Sequence, residues 1–485
     1  MDPKPLRVAV VGGGITGAVA AAALAKAGLA VTVFDQGRRG PGGRASHRRV
    51  CDGCVVPDDD LPPGAGVALE FDHGCQFFRA DDPRMRALAA GWCAAGWAAE
   101  WRGRFGRISG AAPFAPVCDA DAAGGAEDFF GLPGSAAPVY VGVGGMQRLP
   151  RLVLGASGAT VRRGVRVKAL RPLAGRLSRW ELLATSGEGA FHDTPEAAAA
   201  AAAAAEESLG AFDAVVLTDI SSSFEGWHRA SAGLPPDFAA RVSGRARLPL
   251  FACMVAYAAP LGLPLDGITL HHRKGDGDGG GGGGGDGDGD GDGDGDGVLW
   301  FAARSGSKPG FPEPGGEGEC ECWTLVSTPG YACAEIGRTP MQDASGAFLP
   351  QSNDYLSAVP APALAAAFAA AVAPMLAAAG RAMPAAVYSQ AQRWGSAVPA
   401  PHSWEGRPME SMGVSYNAAI PPLLPTRSPG AAASDFVAAD EQRLFYAGDF
   451  CSGRAPGFEA AALSGADAAA HVADLLCPTI GKPAE

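Results

Sequence analysis

The chain lacks the usual marks of catalysis by side chains alone. It shows no Ser-His-Asp set, no His/Cys/carboxylate cluster at metal-ligand spacing and no acid–base dyad. Its eleven cysteines are odd in number and scattered, which excludes a disulfide framework and fits free thiols in a reducing compartment. Cys51 and Cys54 form a lone CxxC, and Cys320 and Cys322 lie far from it, without the context of a zinc knuckle. Positive charge is not in excess. Formal charge is −12, and eight of those negatives sit in one Gly-Asp tract. Such a chain is a poor partner for nucleic acid or an anionic membrane surface. No signal peptide is visible before the strand-like run that starts by Leu6. These features point to the cytoplasm, or to a plastid if a transit peptide is absent from this chain.

One long stretch, Tyr355 to Gly380, has no charge. It is mostly alanine and contains Pro360, Pro362 and Pro374. Leu364, Phe368, Val372 and Leu376 recur at four-residue steps, which predicts a helix packing one face rather than an integral membrane span.

With 485 residues, 47% of them apolar, two domains are expected. Residues 6–35 read strand, tight turn, helix, strand, the helix ending at Gly28. Residues 36–72 are rich in Gly, Pro and Arg and read mostly as loop. Residues 83–105 read as a helix carrying Trp92, Trp97 and Trp101. Residues 161–185 read as short strands, and "FDAVVLT" at 212–218 as a buried strand. Nine alanines, 197–205, suggest an exposed helical insertion. From 275 to 297 the chain is only Gly and Asp, which predicts a disordered loop. The strand-like runs on either side, "GITLHHR" and "VLWFAARS", suggest a hairpin with that loop as its tip.

What is present is a dinucleotide signature. In "VAVVGGGITG", Gly12, Gly14 and Gly17 form GxGxxG between a strand and a helix. Gly12 permits the tight turn, Gly14 a close backbone approach to a pyrophosphate, and Gly17 packing of helix on strand. The helix N-terminus then faces the phosphates. Asp35 ends the second strand, where a carboxylate accepts from ribose hydroxyls. A second glycine loop follows in "RRGPGGRAS", with Gly42, Gly43 and the phosphate-suited fork of Arg44. Simple nicotinamide dehydrogenases do not need it. At the other end, "RLFYAGDF" reads as a buried strand closing on Gly448-Asp449, followed by a helix. That Asp can bind a ribityl or pyrophosphate-linked hydroxyl. The helix can aim its amides where negative charge gathers on a reduced flavin. The three segments together predict one FAD held by both ends of the chain.

These segments resemble flavoproteins of the amine-oxidase superfamily, and more closely the renalase-like FAD-dependent oxidoreductases. "FDHGCQFF" from Phe71 resembles that family's Asp-x-Gly-x-Gln-(Tyr/Phe)-Phe segment. "VGVGGMQRLPRLVL", "LWFAARSGSKPG" and "AQRWGSAVPA" resemble further family segments, in order across nearly the whole chain. Three departures stand out: Gln392 where the family often has His before Arg-Trp, a small residue after Arg-Trp where an aromatic is common, and Tyr331 where it tends to have Trp. All are expected near the substrate side.

The resemblance implies an α/β fold: a discontinuous Rossmann-type FAD-binding domain (1–75, 147–240, 435–485) and a mixed-sheet α+β substrate domain (76–146, 241–434). It implies hydride transfer from a substrate carbon to a noncovalently bound FAD, with O2 as acceptor giving H2O2. The implied substrate is an isomeric dihydronicotinamide dinucleotide, reduced at the 2 or 6 position. A flavin oxidase or desaturase acting on an amine, a porphyrinogen or a polyene is the alternative, and a non-catalytic flavin-binding protein a further one. Expected cofactor contacts are Gly12, Gly14, Ile15, Thr16, Gly17, Asp35, Gln36, Gly43, Arg44, Gln76, Val167, Gly448, Asp449, Phe458, Glu459 and Ala460. Phe77, Trp300, Arg393 and Trp394 are the substrate-lining candidates. Catalytic residues are not assigned, since a dihydronicotinamide loses hydride without first losing a proton.

The Gly-Asp tract has no side chain that buries apolar area. Its removal, with the flanks joined by a short turn, should leave folding intact, because loop closure entropy changes by only about 0.6 kcal/mol per halving of length. Thermal melting of the deletion variant checks this; a fall of many degrees would make the tract structural.

Overall fold

The computed structural model describes residues 5–37, 39–51, 54–56, 69–109, 115–116, 138–174, 179–185, 206–223, 225–236, 238, 247–271, 297–312, 320–339, 352–399, 435–454 and 456–477. The alanine tract and residues 275–296 lie outside them. Gly297 lies inside: its carbonyl accepts from the Thr328 hydroxyl at 2.6 Å. A deletion is therefore best ended at residue 296.

The N-terminal strand Arg7–Val11 is central to a six-stranded sheet. Its order is Thr160–Arg163, Ala30–Asp35, Arg7–Val11, Ala214–Leu217, Leu444–Ala447 and Phe436–Ala439, the first five parallel and the last antiparallel. Alternation along the first strand divides the core. Val8 and Val10 face the layer holding the helices Ile15–Lys26, Arg148–Ala156 and Phe458–Leu476. Ala9 and Val11 face a three-stranded sheet, Val167–Leu173, Arg179–Thr185 and Glu206–Phe212, through Leu170, Trp180 and Phe212. A strand buried on both faces must be apolar throughout, which is why it reads as an uninterrupted run.

A seven-stranded sheet is built from the middle of the chain. Its order is Ala386–Pro399, Arg247–Tyr257, Glu321–Ser327, Leu299–Arg304, Gly267–His271, Phe105–Ser109 and Ala115–Pro116. The hairpin expected around the Gly-Asp tract is present, with Gly267 opposite Ala303 and Thr269 opposite Phe301. One face is covered by helices Pro329–Arg338, Asn353–Ala358 and Pro360–Ala378. In the last of these, Leu364, Phe368, Val372 and Leu376 are all buried, as their spacing required. The stretch Asn353–Ala378 is long and apolar enough to cross a membrane, but it lays this stripe on the sheet. The sheet's other face sends Leu250, Phe301, Ala303 and Val326 into the core that also holds Phe77 and Trp101.

Two local expectations are corrected. The helix expected over 83–105 ends at Ala94, because Gly96 takes a left-handed φ of 71° and Trp97 N donates back to Trp92 O at 2.8 Å. The chain then runs extended as Ala98–Glu100. The stretch 36–72, read as mostly loop, contains a three-stranded antiparallel sheet of His47–Cys51, Cys54–Val56 and Leu69–Asp72. Its arginines hid the strand alternation.

Glycines set the spacing of the two terminal helices. A Cβ on Gly17 would lie 1.9 Å from Gly12 O, and one on Gly465 would lie 2.3 Å from Thr16 O. Gly465→Ala should therefore destabilise the protein by about 1–3 kcal/mol through overpacking. Gly155→Ala, in the exposed last turn of Arg148–Ala156 where an added Cβ meets nothing within 4 Å, should be neutral or gain about 0.5–1 kcal/mol. Denaturant melts of the two variants check the contrast; equal stabilities would refute the close packing.

Candidate cofactor and substrate site

The phosphate loop has the expected geometry. Gly12 has φ 109°, and its N–H donates to Phe34 O at 2.8 Å. Gly14 caps helix Ile15–Lys26 without a side-chain hydrogen bond, and no acidic residue stands in the first turn. The first helical bond runs from Ala18 N to Gly14 O, so the amides of Ile15, Thr16 and Gly17 precede the ladder and point out of the helix end. The second glycine loop closes on the first: Gly42 N donates to Gly13 O at 2.9 Å, and a Cβ on Gly43 would lie 3.2 Å from Gly14 Cα. Asp35 ties both loops together, accepting from Gly13 N at 2.8 Å and Gly37 N at 2.9 Å, with half-buried Gln36 between. Burial pushes the Asp35 carboxyl above its ordinary value despite these bonds. Val165 N donates to Asp35 O, which brings buried Val167 to the same sheet end; the Val167 carbonyl accepts from Trp227 Nε1 at 3.1 Å.

Arg44 and Asp449, expected to act on a cofactor separately, are bonded to each other. Nη2 and Nη1 of Arg44 reach the two Asp449 oxygens at 2.6 and 2.9 Å. Nη1 also donates to Ala397 O at 3.0 Å, and the guanidinium carbon stands 4.8 Å from the Phe450 ring centre. One side chain thus joins the glycine loop, the edge strand of the large sheet and the C-terminal segment. Gly448, at φ 149°, donates its N–H to Ser464 Oγ at 2.8 Å. At the helix Phe458–Leu476 the side chains are engaged elsewhere. The Phe458 ring stacks on Phe78 at 4.6 Å, Glu459 accepts from Asp81 N and Asp82 N at 2.6 and 3.1 Å, and Ala460 is buried. What Phe458, Glu459 and Ala460 offer a ligand is their backbone amides, which precede the first helical bond, Ala461 N to Gly457 O.

A buried charged network, missed in the sequence, lies behind the segment from Asp72. Asp72 Oδ2 accepts from Lys308 Nζ at 3.1 Å, and Oδ1 accepts from Met146 N at 2.8 Å and lies 3.2 Å from His47 Nδ1. Burial alone would raise the Asp72 carboxyl, but Lys308, His47 and the Met146 amide hold it below the ordinary value. Lys308 Nζ also donates to Gln76 Oε1 at 3.2 Å and stands 5.3 Å from the Trp101 ring. Gln76 Nε2 donates to Asp72 O at 2.5 Å and Gly74 O at 3.0 Å. The Gln76 side chain, expected at the cofactor, is thus engaged within its own loop. The signal was legible: the chain has six lysines, and Lys308 stands in Ser-Lys-Pro-Gly straight after an apolar strand.

The substrate-lining candidates separate. On the Ala386–Pro399 strand, Tyr388, Gln390, Gln392 and Trp394 share one face, and Trp394 Nε1 donates to His73 O at 2.8 Å. Arg393 is on the other face, donating to Thr339 O at 3.2 Å beside the covering helices. Tyr331 is on that helix side too, its ring 6.2 Å from Phe251. Arg393 and Tyr331 therefore lie on the helix-covered side of the sheet, opposite the strand face of Gln392 and Trp394. A register shift between Leu299 and Phe301 lets Trp300 join Phe301 on the sheet face opposite the covering helices, against the core that holds Phe77 and Trp101. Phe77 is a core ring, 5.9 Å from Phe301 and 6.3 Å from Trp101.

The class of protein that this geometry defines has a nucleotide-binding α/β fold, and the comparisons agree. Residues 10–92 match the family described as NAD(P)-binding Rossmann-like domain. Among solved structures, the chain is similar to a putrescine oxidase variant with redesigned cofactor binding: 15% identity, TM-score 0.50, covering 96% of this chain and 98% of that one. It is likewise similar to cyclohexylamine oxidase from Brevibacterium oxydans: 12% identity, TM-score 0.52, covering 97% and 99%. The fold is thus amine-oxidase-like over nearly its whole length.

Replacing Lys308 by Met leaves the Asp72 charge buried without its cation, a loss of about 3–5 kcal/mol at neutral pH. In the wild type the Asp72 pKa is depressed on folding, so its contribution is full above the ordinary carboxylate pKa and falls only as pH drops through the lower folded value. In the variant, burial without Lys308 should raise that pKa. The stability gap between variant and wild type should then shrink from pH about 7 toward pH about 4, as the buried carboxylate takes a proton. Melting curves across that range test it; a gap independent of pH would contradict it.

Proposed function

We propose that the protein is an FAD-dependent oxidoreductase, with residues 1–75, 147–240 and 435–485 as the cofactor unit and 76–146 and 241–434 as the substrate unit. The observation that carries this is the meeting of three remote segments at one place: two facing glycine loops, a helix end with free amides, and the Arg44–Asp449 pair. These suit an extended diphosphate. The amides of Ile15, Thr16 and Gly17 would hold the pyrophosphate, Asp35 a ribose, and Arg44 and Asp449 the phosphate- and ribityl-side polar groups. When bound, a flavin supplies a two-electron acceptor for hydride from a substrate carbon.

The chain's own contribution is to bind, orient and exclude water. Trp300 and Trp394 wall the face between the sheets, and the Asp72–Lys308–Gln76 network fixes the loop behind it. Among the described residues no group of His, Cys, Asp and Glu is arranged to hold a metal. The sequence resemblance favours, as the specific substrate, a 2- or 6-dihydronicotinamide dinucleotide, with O2 as acceptor. The structural neighbours are named as oxidases of amines, and an amine is the second reading. Anaerobic mixing with a panel of dihydronicotinamide isomers and of amines distinguishes the two: the donor that bleaches the flavin absorbance identifies the class. No bleaching with any donor would leave only a flavin-binding role.

Purified protein should carry one FAD per chain without a covalent link. Yellow colour retained by the polypeptide after denaturation and filtration would refute noncovalent attachment. Arg44→Ala and Asp449→Ala should each weaken FAD binding about ten- to a hundredfold. Because the two side chains are bonded to each other, the double variant should bind FAD about as weakly as the worse single one. A double-mutant cycle by fluorescence titration checks this; additive losses would show independent roles.

A further inference from the structure

Among the described residues, one cation at the junction of the small and large sheets is hydrogen-bonded only to neutral groups. Arg48 is 6% exposed, and its Nη atoms donate to Gln390 Oε1 at 2.9 Å and Gln392 Oε1 at 3.0 Å. Its Nε is buried without a hydrogen bond among the described residues. The nearby carboxylates already have cations: Asp449 has Arg44, Glu70 has Arg49 at 2.8 Å, and Asp72 has Lys308 at 3.1 Å. Register explains the separation. His47 pairs with Asp72 and Arg48 with Phe71, so alternation turns His47 toward Asp72 and Arg48 toward the large sheet.

His73 stands beside this cation and is 2% exposed. Its ring stacks on Trp394, centroids 5.6 Å apart, and among the described residues neither ring nitrogen reaches a partner in good hydrogen-bond geometry. The His47 backbone lies near enough to favour its protonation weakly, but burial and then Arg48, Arg39 and His47 keep its pKa well below the ordinary value. A buried imidazole so weakly partnered, and a buried guanidinium with no carboxylate among the described residues, are each costly alone. Gln390, Gln392 and Trp394, all half-buried on one strand face, form the open side of the pair.

We propose that Arg48, His73 and Gln392 form a binding site for an oxyanion, a carboxylate or phosphate group, of the organic substrate. The proposal rests on the oxidoreductase reading above and sharpens it: a cationic amine would meet an uncompensated guanidinium here, whereas an anion completes it. Arg48 Nε and the imidazole supply donors that make no side-chain hydrogen bond among the described residues, and the Gln390 and Gln392 amides can turn their NH2 groups toward the same ligand.

The test is a titration of the FAD-loaded protein with nicotinate, inorganic phosphate and putrescine, followed by tryptophan fluorescence, to which Trp394 contributes, and by calorimetry. Nicotinate, phosphate or both should bind in preference to putrescine, and which one binds tells carboxylate from phosphate. Gln392→Glu, nearly the same size, offers Arg48 an internal carboxylate and should weaken anion binding at least about tenfold without loss of thermal stability. Arg48→Lys should weaken it less than Arg48→Met. His73→Phe, which keeps an aromatic ring against Trp394, should lower affinity severalfold. Equal binding to wild type and the Gln392 variant, preference for putrescine, or no anion binding would overturn the proposal. Binding seen only after the flavin is removed would assign the site to the cofactor and overturn it as well. Failure of the oxidoreductase reading shows separately, as flavin that no donor bleaches while the anion titration persists.

Discussion

Arg44 and Asp449 are 405 residues apart in sequence and share two hydrogen bonds. Much of the site's geometry depends on that contact. Asp449 is 1% exposed, so its charge stands in a low-dielectric place and would be expensive to leave unmatched. The guanidinium meets it with a planar fork, extends a third bond to the Ala397 carbonyl on the large sheet, and lies over Phe450. Three segments that fold from distant parts of the chain are held in register by one side chain. The glycine loops can therefore face each other at backbone distance, and the C-terminal helix can present its free amides beside them.

A second buried charged network lies at the segment from Asp72. Asp72, Lys308 and Gln76 lock the turn from Asp72 to Gln76 through side-chain hydrogen bonds. Asp449, Glu70 and Asp72 are each paired with a cation, while Arg48 bonds to two glutamines. Likeness at 12–15% identity carries the fold alone.

Sequence reading succeeded where the periodicity is local. The GxGxxG turn, the strand ending in Asp35, the buried run at 212–218 and the four-step apolar stripe at 364–376 each follow from constraints within a few residues. Gly12 must take a left-handed φ, and a two-faced strand must be apolar. It failed where a nearby glycine or an unusual composition decided the outcome. Gly96 ends a helix that alanine and tryptophan spacing would have continued, and arginine-rich strands at 47–51 read as loop.

By itself, then, the sequence determined the dinucleotide-binding crossover, the return of the C-terminal strand and helix to it, and the hairpin beneath the Gly-Asp tract. These are set by steric rules at individual glycines and by alternation along single strands. Tertiary structure alone decided which polar groups answer one another. Arg393 and Trp394 are neighbours in sequence, yet a strand's two-residue period sends them to opposite faces, and only the Trp394 face meets His73 and Arg48. Arg44 found Asp449, and Lys308 found Asp72, because a buried charge is stable only beside its complement. Which complements come together depends on where distant strands cross.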